Sequence, residues 1–198
     1  MKKLQWIALL VVLATGGLSA QACQQAAGVK DAPALDVQRE KRSLQSLLKL
    51  AENLIVSAVD AMPADKFGFT PTDGEFKGVR TFGQMVKHLS ATNDILAAAA
   101  LGEEPPRDTG DEVGPEAVRT KAEILNYLKD SFAHLSKAVE AIGAANVPVN
   151  TSPISPLKKS EVTRSALIVE SLFHAADHYG QLVEYLRMNG VVPPASRP

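Results

Sequence analysis

Two of the four histidines in the sequence are four residues apart, in the segment HAADHYGQ (174–181). Positions i and i+4 lie on one face of a helix, about 6 Å apart, so His174 and His178 can both reach one metal ion. The same spacing also arises when two histidines simply hydrogen-bond to neighbours at the edge of a core. The pair therefore indicates a metal site only if another element supplies a third ligand.

The two histidines lie at the boundary between the apolar and polar sides of their predicted helix. Each helical residue turns by about 100°, which places the pair beside an apolar face. That face contains Ile168, Leu172, Ala175, Tyr179, Val183 and Leu186. The acidic residues of the helix lie on the other flank, toward water: Glu170, Asp177 and Glu184. Such a boundary suits a metal site that keeps an open coordination position.

His88 is the best candidate for the third ligand, because it lies in another predicted helix at the interior spacing of Met85 and Leu89. Three neutral imidazoles suit Zn²⁺, Ni²⁺ or Fe²⁺. A coordination position left to water would make such an ion a Lewis acid. The fourth histidine, His134, has no partner in the sequence, and we expect it to be structural or exposed.

Other catalytic motifs do not fit the sequence. A zinc-protease helix has glutamate directly after its first histidine, where this chain has Ala175. A di-iron bundle uses Glu-x-x-His, but Glu170 precedes His174 by four residues. Nucleophile elbows, phosphate-binding loops and dinucleotide fingerprints are also missing from the sequence. Reaction class therefore stays open between hydrolysis and group transfer.

Three polar residues near the histidines need an interpretation. Gln181, one turn beyond His178, can hydrogen-bond a ligand or a histidine's second nitrogen, or can simply cap the interior face of the helix. Asn93 and Asp94 are one to two turns past His88, and we expect them at the surface.

Four amphipathic segments predict the fold, with no alternating strand pattern between them. Their predicted ranges are 36–61, 81–102, 114–142 and 160–189. Thr81 and Gln84 form a capping box at the second start, and Pro115 suits the first position of the third helix. The sequence therefore predicts an all-α four-helix bundle with a long connection between the first and second helices. Phe67, Phe69 and Phe76 should pack that connection onto the bundle, and the linkers 103–114 and 144–159 should be solvated.

The first 22 residues are typical of a secretory signal peptide. Lys2 and Lys3 precede an apolar run, and an A-x-A step ends at Ala22. We expect export to a periplasmic or extracellular location, a flexible leader over 23–35 and one domain over 36–198. Cys23, directly after the step, offers a possible lipid tether to a membrane, although Gln21 is poor for a lipoprotein signal.

The charge of the chain gives little support to nucleic-acid binding. Removal of residues 1–22 leaves 19 basic against 22 acidic side chains, a net charge of about −3. No basic stripe interrupts this balance, so we expect no nucleic-acid partner.

The chain resembles the DinB-like superfamily of four-helix proteins. The resemblance rests on TFGQMVKHLSATND (81–94) and on LFHAADHYGQLVEYLRMNGVVPP (172–194). It also rests on AMPADKFGFTPTDGEFKGVRTF (61–82), the connection that follows the first helix. It covers essentially the whole segment from Asp36 to Pro194. One departure is Tyr179, where many members have arginine; this changes the helix surface beside His178 and leaves the three histidines intact.

The resemblance implies a divalent metal ion held by His88, His174 and His178. Some relatives are thiol-dependent transferases or isomerases, in which the metal activates a small thiol. Those thiols belong to the cytoplasm, and the export signal makes that chemistry a poor fit here. We therefore expect an exported metal-binding protein that is an enzyme, a hydrolase or a thiol or group transferase, on an unknown small-molecule substrate. The alternative is a non-catalytic, metal-binding or structural bundle that forms a homodimer.

Overall fold

The computed structural model describes residues 18–72, 77–143, 149, 154–157 and 162–198, and of residues 18–33 and 35 the backbone alone. Four α-helices make up the fold: α1 (Leu18–Ala61), α2 (Phe82–Leu101), α3 (Lys121–Glu140) and α4 (Arg164–Met188). Two short 3₁₀ helices cover Ala64–Lys66 and Pro194–Ser196. Every element of the described residues is helical, and the predicted all-α four-helix bundle is confirmed.

The chain divides into two units, residues 1–36 and 37–198. The described backbone of the first unit is helical from Leu18 onward, where the sequence analysis expects a flexible leader over 23–35. That stretch is rich in alanine and glutamine, which favour helix. Residues 1–17, which hold most of the expected signal peptide, lie outside the described residues. No described helix is long and apolar enough to cross a membrane.

Helix α2 begins and ends where the sequence predicts. The Thr81 hydroxyl accepts from the Gln84 amide at 3.2 Å, and the Gln84 side chain accepts from the Thr81 amide at 2.9 Å. These two bonds form the predicted capping box. Gly102 closes the helix at φ 78°, a left-handed conformation that glycine adopts without strain.

The predicted start of the third helix at Pro115 is wrong. Helix α3 begins at Lys121, because Thr120 and Glu123 form a second capping box there: the Thr120 hydroxyl accepts from the Glu123 amide and the Glu123 carboxylate from the Thr120 amide. The Thr-x-x-Glu signal is present in the sequence and outweighs Gly114-Pro115, where Gly114 has φ 79° and the chain is still turning.

Helix α4 begins at Arg164, with the Thr163 hydroxyl accepting from the Ala166 amide at 3.2 Å. Ser160 and Glu161, the start that the sequence analysis favours, lie outside the described residues. The helix ends at Met188, and Asn189 caps it, close to the predicted end.

The long connection between α1 and α2 packs through its aromatic residues, as predicted. Phe67 is buried and meets Phe82 edge-on, with ring centroids 5.3 Å apart. Phe69 meets Tyr185 of α4 in the same way at 5.6 Å. Phe76 lies outside the described residues. The connection is thereby fixed against both α2 and α4, the two helices that carry the three candidate histidines.

The expectation that Asn93 and Asp94 lie at the surface is wrong, because both are fully buried. The Asn93 amide donates to Ser131 Oγ of α3 at 3.2 Å and its oxygen accepts from Ser171 Oγ of α4 at 2.8 Å. A buried amide that bonds to two neighbouring helices stays satisfied only at one relative position of those helices. Asn93 therefore fixes the register of α2 against α4, since it is close in sequence to His88 and its partner Ser171 is close in sequence to His174.

Asp94 is the centre of a buried ionic cluster. Its carboxylate lies 2.8 Å from Arg107 Nε, accepts from Arg107 Nη2 at 3.1 Å and contacts His134 Nδ1 at 3.1 Å. The Nε contact is an ion pair whose atoms are poorly aligned for a hydrogen bond. Arg107 also bonds to Asp130 of α3 at 3.1 Å, and Asp130 is 66% exposed.

His134, expected to be either structural or exposed, is buried. Its partners come from other elements of the fold. Nδ1 faces Asp94, and Nε2 lies 3.1 Å from a Glu103 carboxylate oxygen. Burial opposes protonation, but the hydrogen bonds and charges of the two carboxylates outweigh it and raise the pKa of His134. This imidazole is held by carboxylates and does not lie with the other three.

Asp94 and Asp130 both pair with Arg107, and we expect their substitutions to change the free energy of unfolding by different amounts. Asp94→Asn should lower the free energy of unfolding by about 3 kcal/mol, because it leaves buried charge without its partner. Asp130→Asn should cost about 1 kcal/mol or less, because that ion pair is open to water. Urea unfolding followed by circular dichroism measures both. Equal losses would contradict the assignment of Asp94 as the centre of the cluster.

Candidate metal centre

Helices α2 and α4 bring three imidazoles together. The Nε2 atom of His174 lies 3.2 Å from Nε2 of His88 and 2.9 Å from Nε2 of His178. The three rings stand nearly perpendicular to one another, at interplanar angles of 77°, 88° and 89°. The fold thus places the three histidines singled out in the sequence at one point, with their Nε2 atoms converging.

The second nitrogens indicate which nitrogen of each ring carries the proton. His88 Nδ1 lies 2.6 Å from the backbone carbonyl oxygen of Glu112, which can only accept. His178 Nδ1 lies 3.4 Å from the side-chain oxygen of Gln181. A proton on Nδ1 leaves the Nε2 lone pair free, so these two rings present acceptors to the convergence point. His174 Nδ1 is buried and has no hydrogen-bond partner among the described residues.

The surroundings keep all three imidazoles neutral. Burial lowers the pKa of His174 to about 3, with the other two histidines and Arg80 acting in the same direction. Burial also lowers the pKa of His178 and of His88, and in His88 it outweighs the opposing bond to the Glu112 carbonyl. A neutral imidazole is the form that coordinates a metal ion.

The arrangement fits a divalent ion. Two imidazole nitrogens on an ion at about 2.0–2.1 Å would be about 2.8–3.0 Å apart in octahedral geometry and about 3.3–3.4 Å apart in tetrahedral geometry. The measured separations of 2.9 and 3.2 Å are close to these values. An ion at the convergence point would be coordinated by the free Nε2 lone pairs of His88 and His178 and by that of His174. His88, His174 and His178 are thus three close nitrogen ligands that can hold a metal ion.

A short hydrogen-bond chain orients His178. Gln181 donates from Nε2 to Asp177 Oδ2 at 2.9 Å, and its oxygen faces His178 Nδ1. The carboxylate fixes the orientation of the amide so that its oxygen faces the imidazole. An amide oxygen can only accept a hydrogen bond, so the imidazole must donate from Nδ1. Of the alternatives that the sequence leaves open for Gln181, contact with a histidine's second nitrogen is the one present in the structure.

The linker between α2 and α3 takes part in the site, although the sequence analysis expects a solvated segment. It supplies the Glu112 carbonyl, which accepts a hydrogen bond from His88 Nδ1. To do so the backbone turns through left-handed conformations at Gly110, Asp111 and Glu112, with φ of 55°, 49° and 70°. Two successive non-glycine residues at positive φ are costly, and such strain persists where the surroundings impose it.

Both ends of this linker are fixed. Arg107 is bound to the Asp94 cluster, and Gly114 lies so close to Lys87 that an added Cβ would be 2.8 Å from the Cβ of that lysine. Glycine is needed at 114 both for this approach and for φ 79°. The only sequence signal for this arrangement is the pair of glycines in GDEVG (110–114), which indicates a turn and nothing about its contact with His88.

A small pocket opens beside the histidines. It has a volume of about 270 Å³ and is bounded by one face of α2, by α4, by Glu112 and by the short segment around residue 154. His88 and His174 both form part of its wall. A molecule in this pocket would therefore lie directly against two of the three imidazoles.

The pKa shifts predict how stability depends on pH in the metal-free protein. The unfolded chain takes up a proton on His174 near pH 6.5, while the folded protein resists it down to about pH 3. Stability is therefore lost as pH falls through 6.5. Between pH 7.5 and 5.5 His174 alone should remove about 1.4 kcal/mol from the free energy of unfolding. The variant His174→Gln should show a correspondingly smaller loss, measured by urea unfolding in the presence of a chelator.

His134 provides a control of opposite sign. Its pKa is raised in the folded protein, so its contribution to stability is fully present below pH 6.5 and disappears as pH rises through the folded value. His134→Gln should therefore make the loss between pH 7.5 and 5.5 larger than in the wild type. Identical pH dependence in both variants and the wild type would contradict the assigned protonation states.

The comparisons with known proteins agree with this fold. A family model described as the DinB superfamily matches residues 47–182, well over half of the chain. That range includes all three histidines, the whole of α2 and α3, most of α4 and about the last third of α1. Curated proteins give no match to the sequence. Because the family model covers well over half of the chain, the chain belongs to the DinB superfamily.

Proposed function

We propose that this protein is an exported metalloenzyme in which His88, His174 and His178 hold one divalent ion. The single observation that carries the proposal is the convergence of three Nε2 atoms from two helices, at 2.9 and 3.2 Å from the central one. Zn²⁺, Ni²⁺ and Fe²⁺ all accept imidazole nitrogen, and the ligand set does not distinguish them. When bound, such an ion lowers the pKa of a coordinated water, thiol or hydroxyl.

The protein's own groups support a catalytic use. Glu112 and Gln181 orient two of the rings, and burial keeps all three neutral at physiological pH. The pocket beside His88 and His174 offers a place for a substrate next to the site. The proposed reaction is hydrolysis or transfer of a thiol or other group on a small molecule, because a bound ion with an open coordination position can activate water, a thiol or a hydroxyl.

A second, non-catalytic function follows from one observation: the three ligands come from two helices, so an ion would cross-link α2 to α4. In this alternative the metal stabilises the bundle, which could act as a homodimeric structural module. A holo structure distinguishes the two. A water-occupied coordination position facing the pocket supports the enzyme, and a fourth protein ligand that closes the site supports the structural role.

The metal proposal predicts stoichiometric binding. Protein without a histidine tag, reconstituted with Zn²⁺, Ni²⁺ or Fe²⁺ and dialysed, should hold about one equivalent of an ion by elemental analysis, because three preformed nitrogen ligands coordinate it. His174→Ala should hold less than about a tenth of that. His134→Asn is the matched control, since this histidine lies outside the cluster, and it should keep the metal. Wild-type protein with less than about a tenth of an equivalent would contradict the proposal.

Export is proposed from residues 1–22 alone, and Cys23 leaves two mature forms open. Mass spectrometry of the protein recovered from cells that export it should give an N-terminus at or beside Cys23. A mass increased by acyl chains on Cys23 would identify the tethered form, and an unmodified cysteine the free one. Recovery of a chain that still begins at Met1 would contradict export.

A further inference from the structure

The pocket beside the three histidines is lined by acidic, apolar and imidazole side chains. On α2 it is bounded by His88, Thr92 and Leu96, which are spaced four residues apart and so share one helical face. On α4 it is bounded by Glu170, Phe173, His174 and Asp177, and the remaining wall comes from Glu112, Ile154 and Pro156. At about 270 Å³ it suits a small molecule rather than a peptide.

Three of these wall residues are acidic, and none of the described wall residues is lysine or arginine. Glu170 accepts from the Ser155 hydroxyl at 2.7 Å, and Asp177 accepts from the Gln181 amide at 2.9 Å. Both partners are neutral, so they do not cancel the charge of these carboxylates. Arg80 is near enough to lower the pKa of the imidazoles, but it is not part of the pocket wall. The described part of the wall is therefore negatively charged.

A second, independent feature points to a ligand in this pocket. Thr92 is only 5% exposed, and its buried hydroxyl has no hydrogen-bond partner among the residues that the structure describes. An unpaired buried hydroxyl costs free energy, which a ligand that bonds to it would recover. Thr92 lies one turn beyond His88 on the same face of α2, so a molecule that reaches the Thr92 hydroxyl also lies close to the imidazoles.

The remaining wall is apolar and includes one exposed aromatic ring. Phe173 is 78% exposed although it adjoins His174 in the chain, and Leu96, Ile154 and Pro156 complete the apolar surface. An exposed aromatic ring beside carboxylates is a combination that attracts organic cations, through the face of the ring and through charge. Both features stabilise an alkylated ammonium group, because its methyl groups pack against the aromatic ring and its charge is attracted to the carboxylates.

We propose that the pocket selects small organic cations, amines or quaternary ammonium compounds that carry a hydrogen-bonding group, over anionic molecules such as phosphates and carboxylates. This names the substrate class of the proposed metalloenzyme and rests on that function for its catalytic meaning. Binding itself depends only on the wall. A divalent ion on three neutral imidazoles would add two positive charges, and the three carboxylates outweigh it.

Three probes of nearly the same size test the selection. Choline is the cation, 3,3-dimethyl-1-butanol is its uncharged isostere and isethionate is the anion. Binding is measured by NMR titration of chelator-treated and of Zn²⁺-reconstituted protein, with metal content determined in the same samples. Choline should bind at least about fivefold more tightly than either other probe in both states, because only choline meets the wall with complementary charge.

Variants locate the effect in the pocket. Glu170→Gln should weaken choline binding about three- to tenfold while keeping the shape of the side chain. Glu184→Gln is the matched control, because Glu184 is an acid of the same helix that pairs with Arg187 and is not part of the pocket wall, and it should change binding less than twofold. Thr92→Val should weaken choline and the alcohol alike, because both carry the hydroxyl group.

The outcomes separate this proposal from the metal proposal. Isethionate binding as tightly as choline, no choline binding below about 50 mM, or equal losses in Glu170→Gln and Glu184→Gln would each overturn cation selection, whatever the metal content. Choline binding in protein that takes up no metal would sustain the pocket and overturn the metalloenzyme. Metal uptake by protein that prefers isethionate to choline would support the metal proposal and overturn cation selection.

Discussion

Three imidazole nitrogens that converge to about 3 Å can hold one metal ion only if each presents its lone pair to that point. This constraint governs much of the fold around the site. The rings are on two helices, so α2 and α4 must be fixed in register, which the buried Asn93 amide does through serines on α3 and α4. The protons must lie on the far nitrogens, which the Glu112 carbonyl favours in His88 and the Gln181 side-chain oxygen favours in His178. Burial then keeps the rings neutral.

The helices and the histidine cluster could be predicted because their signals are local or periodic. Helical spacing put His174 and His178 on one face, and the capping box at Thr81 fixed the helix that carries His88. Gly114-Pro115 also carries a helix-start signal, but the equally local Thr120–Glu123 box is where α3 begins. Both signals were in the sequence, and the stronger one involved two satisfied backbone donors.

The buried polar residues could not be predicted in the same way. Asn93 and Asp94 are hydrophilic, and their positions on α2 are favourable only because Ser131, Ser171 and Arg107 reach them from elsewhere in the chain. Such partners are 13 to 78 residues away, and no spacing rule links them. The contact of Glu112 with His88 is of the same kind, because it uses a backbone carbonyl, which every residue has and no side-chain pattern reveals.

The segment between Arg107 and Gly114 also bears on how this chain tolerates changes of length. Surface loops ordinarily accept insertions at small cost, since closure entropy grows slowly with length. Here one end is attached to a buried carboxylate and the other lies against Lys87, while the left-handed residues between them present a carbonyl to His88. An added residue would shift that carbonyl rather than bulge into water. An insertion between Arg107 and Gly114 should therefore be tolerated less well than closure entropy alone would allow.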